Sequence, residues 1–125
     1  MAKYFITIAA LSSMFAVIFG AFGAHALKNT LDDYSRGVFE TAVAYHFYHS
    51  LALLAVGILA LSLPDSSLLK SSGWLFAVGL VVFSGSLYIL SLSGVRWLGA
   101  ITPLGGLAFV AGWACLAAAA WKSLG

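Results

Sequence analysis

Residues 41–63 read TAVAYHFYHSLALLAVGILALSL, a run with no Asp, Glu, Lys or Arg. A hydrocarbon core about 30 Å thick takes roughly 20 apolar residues in a helix, so this run is long enough to cross a bilayer. Backbone groups in lipid must find their partners within the chain, which favours a helix over an isolated strand. Three similar uncharged runs occupy 4–26, 73–93 and 99–121, the last holding a span at about 102–121. Lys3, Lys28, Glu40, Lys70, Arg96 and Lys122 lie just outside the four runs. Barrel strands would instead show short alternating segments and many more turns. The expected fold is all-α: one integral membrane domain over residues 1–125, built as a four-helix antiparallel bundle.

Composition agrees with the runs. The chain is 62% hydrophobic and 8% charged over 125 residues, against about 45–50% and about 25% for soluble domains. That leaves no room for an attached soluble enzyme or a dinucleotide-binding unit. A formal net charge of +2 without basic clusters argues against nucleic acid as a partner. The lone Cys115 makes no intrachain disulfide, no CxxC pair and no zinc site, and reads as a packing residue. The first run also satisfies the signature of a signal peptide, with Lys3 before it and Ala24-His25-Ala26 as a cleavage-like triplet. It is longer than a usual signal core and three spans follow it, so it is expected to remain as a helix.

Between the runs the turns are legible. Residues 28–40 form a polar, amphipathic lead-in, with Asn29-Thr30 or Asp32 as candidate N-caps and acidic residues where the helix dipole favours them. Pro64-Asp65 stops the second helix, Ser71-Ser72-Gly73 leads into the third, and Ser93-Gly94 ends it as a glycine C-cap. Thr102-Pro103 reads as an N-cap followed by proline in the first turn, leaving residues 96–101 as a tight loop. Four spans put both termini on one side with Lys3, Lys70 and Lys122, opposite Lys28, Arg36 and Arg96. That balance gives no orientation by the positive-inside rule and leaves dual insertion open.

Helices associate in lipid where small residues let backbones approach. Ser12, Ala16, Gly20 and Ala24 recur every fourth position of the first helix, and Thr102, Gly105, Gly106, Phe109, Gly112 and Trp113 share a face of the fourth. Trp74, Trp97 and Trp121 fall near span ends, as an interfacial belt requires. Gly20, Ala24, Gly105, Gly106 and Gly112 are therefore the expected packing positions.

An ionisable side chain inside a span is a functional hypothesis by default. His25, His46 and His49 are the residues in question, with Tyr45 sharing the face of the second helix and Ser84, Tyr88 and Ser91 sharing one of the third. At about 1.5 Å per residue, His46 and His49 lie roughly 8 Å and 12 Å inside a span starting at Thr41. Glu40 falls roughly 180° around the helix from His49 and, with Arg96, belongs to the interface and loops. Three readings stay open for this face. The imidazoles are paired within the bundle, His49 to a hydroxyl such as Ser84 or Ser91 while His25 and His46 sit in the wet interface; or they line a proton-carrying cavity; or they hold a metal or haem at His25, His46 and His49. No cofactor is expected, and HExxH, GxSxG, P-loop and CxxC motifs are all missing, so no catalytic residue is assigned.

Three stretches resemble a known family: GAFGAHAL at 20–27, TAVAYHFYHSLAL at 41–53 and ITPLGGLAF at 101–109. In this order they closely resemble the YgdD/YwdK family of small bacterial inner-membrane proteins, a domain of unknown function similar to eukaryotic transmembrane protein 256. His25, His49, Thr102, Pro103, Gly105 and Gly106 match as they stand, with Glu40 directly before the second motif. The resemblance covers the chain and implies a multi-pass protein of the bacterial inner membrane, with no reaction attached. It also implies that Gln can stand where this chain has His46. The function expected is a non-enzymatic bundle that binds a membrane component or supports a membrane complex, its partners being the bilayer and a second copy or another membrane protein. The alternative is a minimal transporter or proton-coupled carrier with a histidine-lined cavity.

Overall fold

The computed structural model describes residues 1–125. Its four long helices are α1 (Ala2–His25), α2 (Asp33–Ala60), α3 (Ser67–Ser93) and α4 (Thr102–Ser123), each apolar enough to cross a membrane. There are no strands, and the chain is an all-α membrane protein. Phe5 reaches Gly57 and Gly73, and Lys122 lies against the Pro64 turn, so both termini share one end with the α2–α3 loop. At the other end Arg96 places its guanidinium 4.2 Å over the Tyr34 ring, joining the α3–α4 connection to the start of α2.

The helix starts follow local chemistry more than hydropathy. Asp32 caps α2, its carboxylate accepting from the Ser35 N–H at 2.7 Å. Ser66 caps α3 in the same way through the Leu69 N–H, at 3.2 Å, so α3 begins six residues before Gly73 and carries Lys70 on its first turns. In both cases the helix begins before the apolar run, at a polar turn closed by a side-chain cap. Gly94, the one residue with positive φ (73°), ends α3, a conformation in which glycine meets no Cβ penalty. The tight 96–101 connection is a 3₁₀ turn at Arg96–Ala100. Thr102 is the first residue of α4 and no N-cap: its hydroxyl lies 2.6 Å from Ser86 Oγ and bonds α4 to α3.

Packing divides the bundle along its length. Near the termini Phe5, Leu53, Val56, Leu69 and Phe76 form a buried apolar core. Toward the other end the interior turns polar and aromatic. Between α3 and α4 phenylalanines lie over glycines in both directions. Phe109 covers Gly79, Phe83 covers Gly105 and Phe76 covers Gly112; a Cβ added to these glycines would stand 2.4, 2.4 and 2.8 Å from the covering residue. The contact at Gly105 is with the Phe83 backbone N, within a π-helical stretch of α3 at Leu80–Ser84. Such wide turns interrupt the regular register of a helix and re-aim its later side chains. Gly106, half-buried, does not share this role: its added Cβ would stay 3.8 Å from the Phe83 ring, an ordinary contact. One residue's rotation about α4 separates a closed position from an open one.

Candidate functional site

His46 is 8% exposed and lies inside the bundle, away from the wet interface. Burial of an imidazole in hydrocarbon requires partners for both nitrogens. Nδ1 lies 2.8 Å from the Tyr88 hydroxyl of α3, and Nε2 lies 3.0 Å from the Ser12 hydroxyl of α1. Ser12 Oγ is 2.6 Å from Ser50 Oγ, and Ser50 donates to the His46 carbonyl at 2.6 Å. Proton counting then fixes the direction of every bond. The single Ser50 proton goes to the carbonyl, so Ser12 donates to Ser50. Ser12 therefore accepts from Nε2–H, and a neutral ring leaves Nδ1 to accept from Tyr88. The chain Tyr88 to His46 to Ser12 to Ser50 to the His46 carbonyl closes with every proton used.

His49, 6% exposed, is satisfied in the opposite sense. Its Nδ1 faces the Tyr45 carbonyl at 3.0 Å, which can only accept, so Nδ1 carries the proton. Its Nε2 accepts from the Trp113 indole N–H of α4 at 3.1 Å. The ring lies stacked on Phe109, with Phe76 at 5.7 Å between centroids. The expected hydroxyls are engaged elsewhere, Ser84 donating to the Ala42 carbonyl across the α2–α3 contact and Ser91 to the Tyr88 carbonyl. Tyr45, 39% exposed, stacks beside His49 and Phe83.

The three histidines are not brought together. His25 is exposed at the end of α1, His46 points to α1 and α3, and His49 points to α4. No three His, Cys, Asp or Glu side chains gather as metal ligands. His46 Nδ1 and His49 Nε2 instead accept hydrogen bonds, from the Tyr88 hydroxyl and the Trp113 indole N–H. Nor is any buried side-chain nitrogen or oxygen left without a partner. Ser12, Ser50, Phe109 and Trp113 complete the two sites. Ser12, Phe109 and Trp113 were readable only as members of small or apolar faces, and Ser50 carried no signal beyond its place in the second run.

Two openings flank this interior. One, about 410 Å³, lies between α1 and α3 with Ser12, His46, Ser84 and Tyr88 in its wall. The other, about 480 Å³, lies between the end of α1 and the start of α2 and includes Gly20, Ala24, Lys28, Arg36 and Glu40. Gly20 would place a Cβ 3.3 Å from Val43, whereas Ala24 is exposed.

Comparison with known proteins agrees with this architecture. The profile of the family described as "Protein of unknown function (DUF423)" matches residues 19–106. The chain is 47% identical to the UPF0382 membrane protein YwdK of Bacillus subtilis over 98% of its own length and 99% of that protein's. It is 48% identical to the UPF0382 membrane protein SH2409 of Staphylococcus haemolyticus, over 98% and 99% of the two chains. No solved structure matches it. With the family profile covering most of the chain and relatives aligned nearly end to end, the chain belongs to the DUF423 family of membrane proteins, to which no biochemical activity is assigned.

Proposed function

We propose that this protein is a non-enzymatic helical bundle of the bacterial cytoplasmic membrane that binds a membrane component. One observation carries the reading: the two buried imidazoles within the spans, His46 and His49, are used up in hydrogen bonds inside the bundle. His46 ties α2 to α1 and α3 through both ring nitrogens, and His49 ties α2 to α4 through Nε2 while its Nδ1–H is held by the Tyr45 carbonyl of α2 itself. A general base or proton carrier needs a free nitrogen at a surface that substrate or water reaches. The bacterial relatives and the helical spans support the cytoplasmic membrane as the location. A second reading, a minimal proton-coupled carrier, has the α1–α3 groove in its favour, because His46 lies in its wall.

Reconstitution into liposomes holding a pH-sensitive dye separates the two. The binding reading expects proton flux equal to that of empty liposomes under an imposed pH gradient or membrane potential. Protein-dependent flux that His46→Gln abolishes would replace it with the carrier.

A further inference from the structure

The cavity between α1 and α2 differs from the histidine sites in leaving its charges unspent. Lys28, on the connection after α1, and Glu40, on α2, line the same space of about 480 Å³. They do not pair: the only ion pair of the chain is Arg36 with Asp33, at 3.4 Å. That pair is solvated, Asp33 being 99% exposed at its side chain, and such pairs are weak enough for a better anion to compete. Two cations and a carboxylate thus stand around one opening without neutralising each other. Beneath them the walls are apolar and small: Gly20, Gly23 and Ala24 on one side, Val43 and Ala44 on the other. Gly20 is five residues before the end of α1, so the cavity runs about 7.5 Å into the span at about 1.5 Å per residue.

A matching occupant carries an anion, a cation that donates hydrogen bonds, and an apolar continuation toward the hydrocarbon. The volume suits part of such a molecule, since small-molecule sites run from about 300 Å³ upward. We infer that the α1–α2 cavity binds an aminophospholipid of the phosphatidylethanolamine class, its phosphate against Lys28 and Arg36, its primary ammonium donating to Glu40 and the start of an acyl chain along Gly20 and Val43. This rests on the reading of the chain as a binder of a membrane component and names that component. The carboxylate selects the headgroup: a quaternary choline ammonium has no N–H to donate to Glu40, and a glycerol headgroup has no cation.

The test is thermal unfolding of the full chain in mild detergent, titrated with palmitoyl-oleoyl phosphatidylethanolamine, phosphatidylcholine or phosphatidylglycerol, or with water-soluble glycerophosphoethanolamine. Phosphatidylethanolamine is expected to raise Tm at the lowest concentration, with glycerophosphoethanolamine without effect. Glu40→Gln, at an exposed position, should raise the half-saturating phosphatidylethanolamine concentration about tenfold, the range of a charge-assisted hydrogen bond, and remove its advantage over phosphatidylcholine. Lys28→Ala should weaken all three lipids. Equal responses to the three lipids, a preference for phosphatidylglycerol, an unchanged preference in Glu40→Gln, or an equal shift from the soluble headgroup would each overturn the assignment. A flat lipid response with no proton flux removes the lipid and leaves the binding reading; flux removes the reading itself.

Discussion

The imidazole of His49 lies flat on the ring of Phe109, the centroids 3.6 Å apart and the planes within 10°. Its edge meanwhile accepts the Trp113 N–H. Stacking fixes the plane of the ring and the hydrogen bond fixes its rotation, so α4 is docked on α2 in one geometry. Polar contacts between membrane helices are worth about 0.6 kcal/mol on average and about 1–2 kcal/mol in favourable cases. His49→Ala removes the stack and leaves the indole N–H bare, and should destabilise the bundle by about 1–2 kcal/mol. Trp113→Phe keeps a ring against Phe76, now 5.0 Å between centroids, and should cost about 0.6 kcal/mol. A double-mutant cycle on unfolding in detergent should return a coupling between the two; additive losses would show that the bond contributes nothing.

Tyr88→Phe should act through one proton. The ring contacts with Phe19 and Phe39, at 5.1 and 5.3 Å, survive the change. Only the hydroxyl that donates to His46 is lost, leaving Nδ1 without a donor, and stability should fall by about 1 kcal/mol. Ser12→Ala should cost a similar amount by stranding Nε2–H, whereas removing the exposed Tyr48 hydroxyl should cost nothing measurable. Equal stability of all three variants in chemical unfolding would disprove the network.

Gly105 and Gly106 should respond oppositely to alanine. At Gly105 the added methyl meets the Phe83 backbone, which cannot rotate away, so Gly105→Ala should cost about 1–3 kcal/mol, the range of overpacked sites. Gly106→Ala has space and should be within about 0.5 kcal/mol of the parent. Thermal unfolding of the two variants checks the contrast; the reverse order would mean that α4 is rotated about its axis.

At the polar end, Asp32 should confer a pH dependence confined to the start of α2. Hydrogen bonds from the Ser35 N–H and Ser35 hydroxyl hold its carboxyl below the ordinary aspartate value of 3.8, with a smaller contribution from Arg96. A folded pKa below the unfolded one means the cap is fully present above the unfolded value and is lost as pH falls through the folded one. The Ser35 amide proton should therefore shift in NMR spectra only below about 3.8. Asp32→Asn keeps an accepting oxygen at the cap, and in that variant the Ser35 shift should stay constant across the same range.

The four spans were legible because lipid demands length and apolarity, and both are local properties of a run. So was the Gly94 stop, which needs only its own few residues, while the α2 cap was narrowed to Asn29-Thr30 or Asp32 and the structure selects Asp32. The start of α3 was less so, since hydropathy marks the apolar run and Ser66 caps a polar turn several residues before it. The histidine partners were not legible. Whether His49 meets Ser84 of α3 or Trp113 of α4 depends on how far each helix is rotated and shifted against the next, which no single run encodes. The same holds for Gly105 and Gly106, adjacent in sequence and about 100° apart on the helix. Phenylalanine over glycine, repeated three times between α3 and α4, is a spatial pattern whose partners lie 22 to 36 residues apart.

In the geometry above both buried imidazoles are neutral members of hydrogen-bond chains, with opposite tautomers. Long-range ¹H–¹⁵N NMR of the histidine-labelled chain in detergent micelles at neutral pH reads this directly. His46 should carry its proton on Nε2 with Nδ1 bare, and His49 its proton on Nδ1 with Nε2 bare, each as a single, non-exchanging form. A charged imidazole, or averaged signals from two interconverting tautomers at either residue, would contradict it.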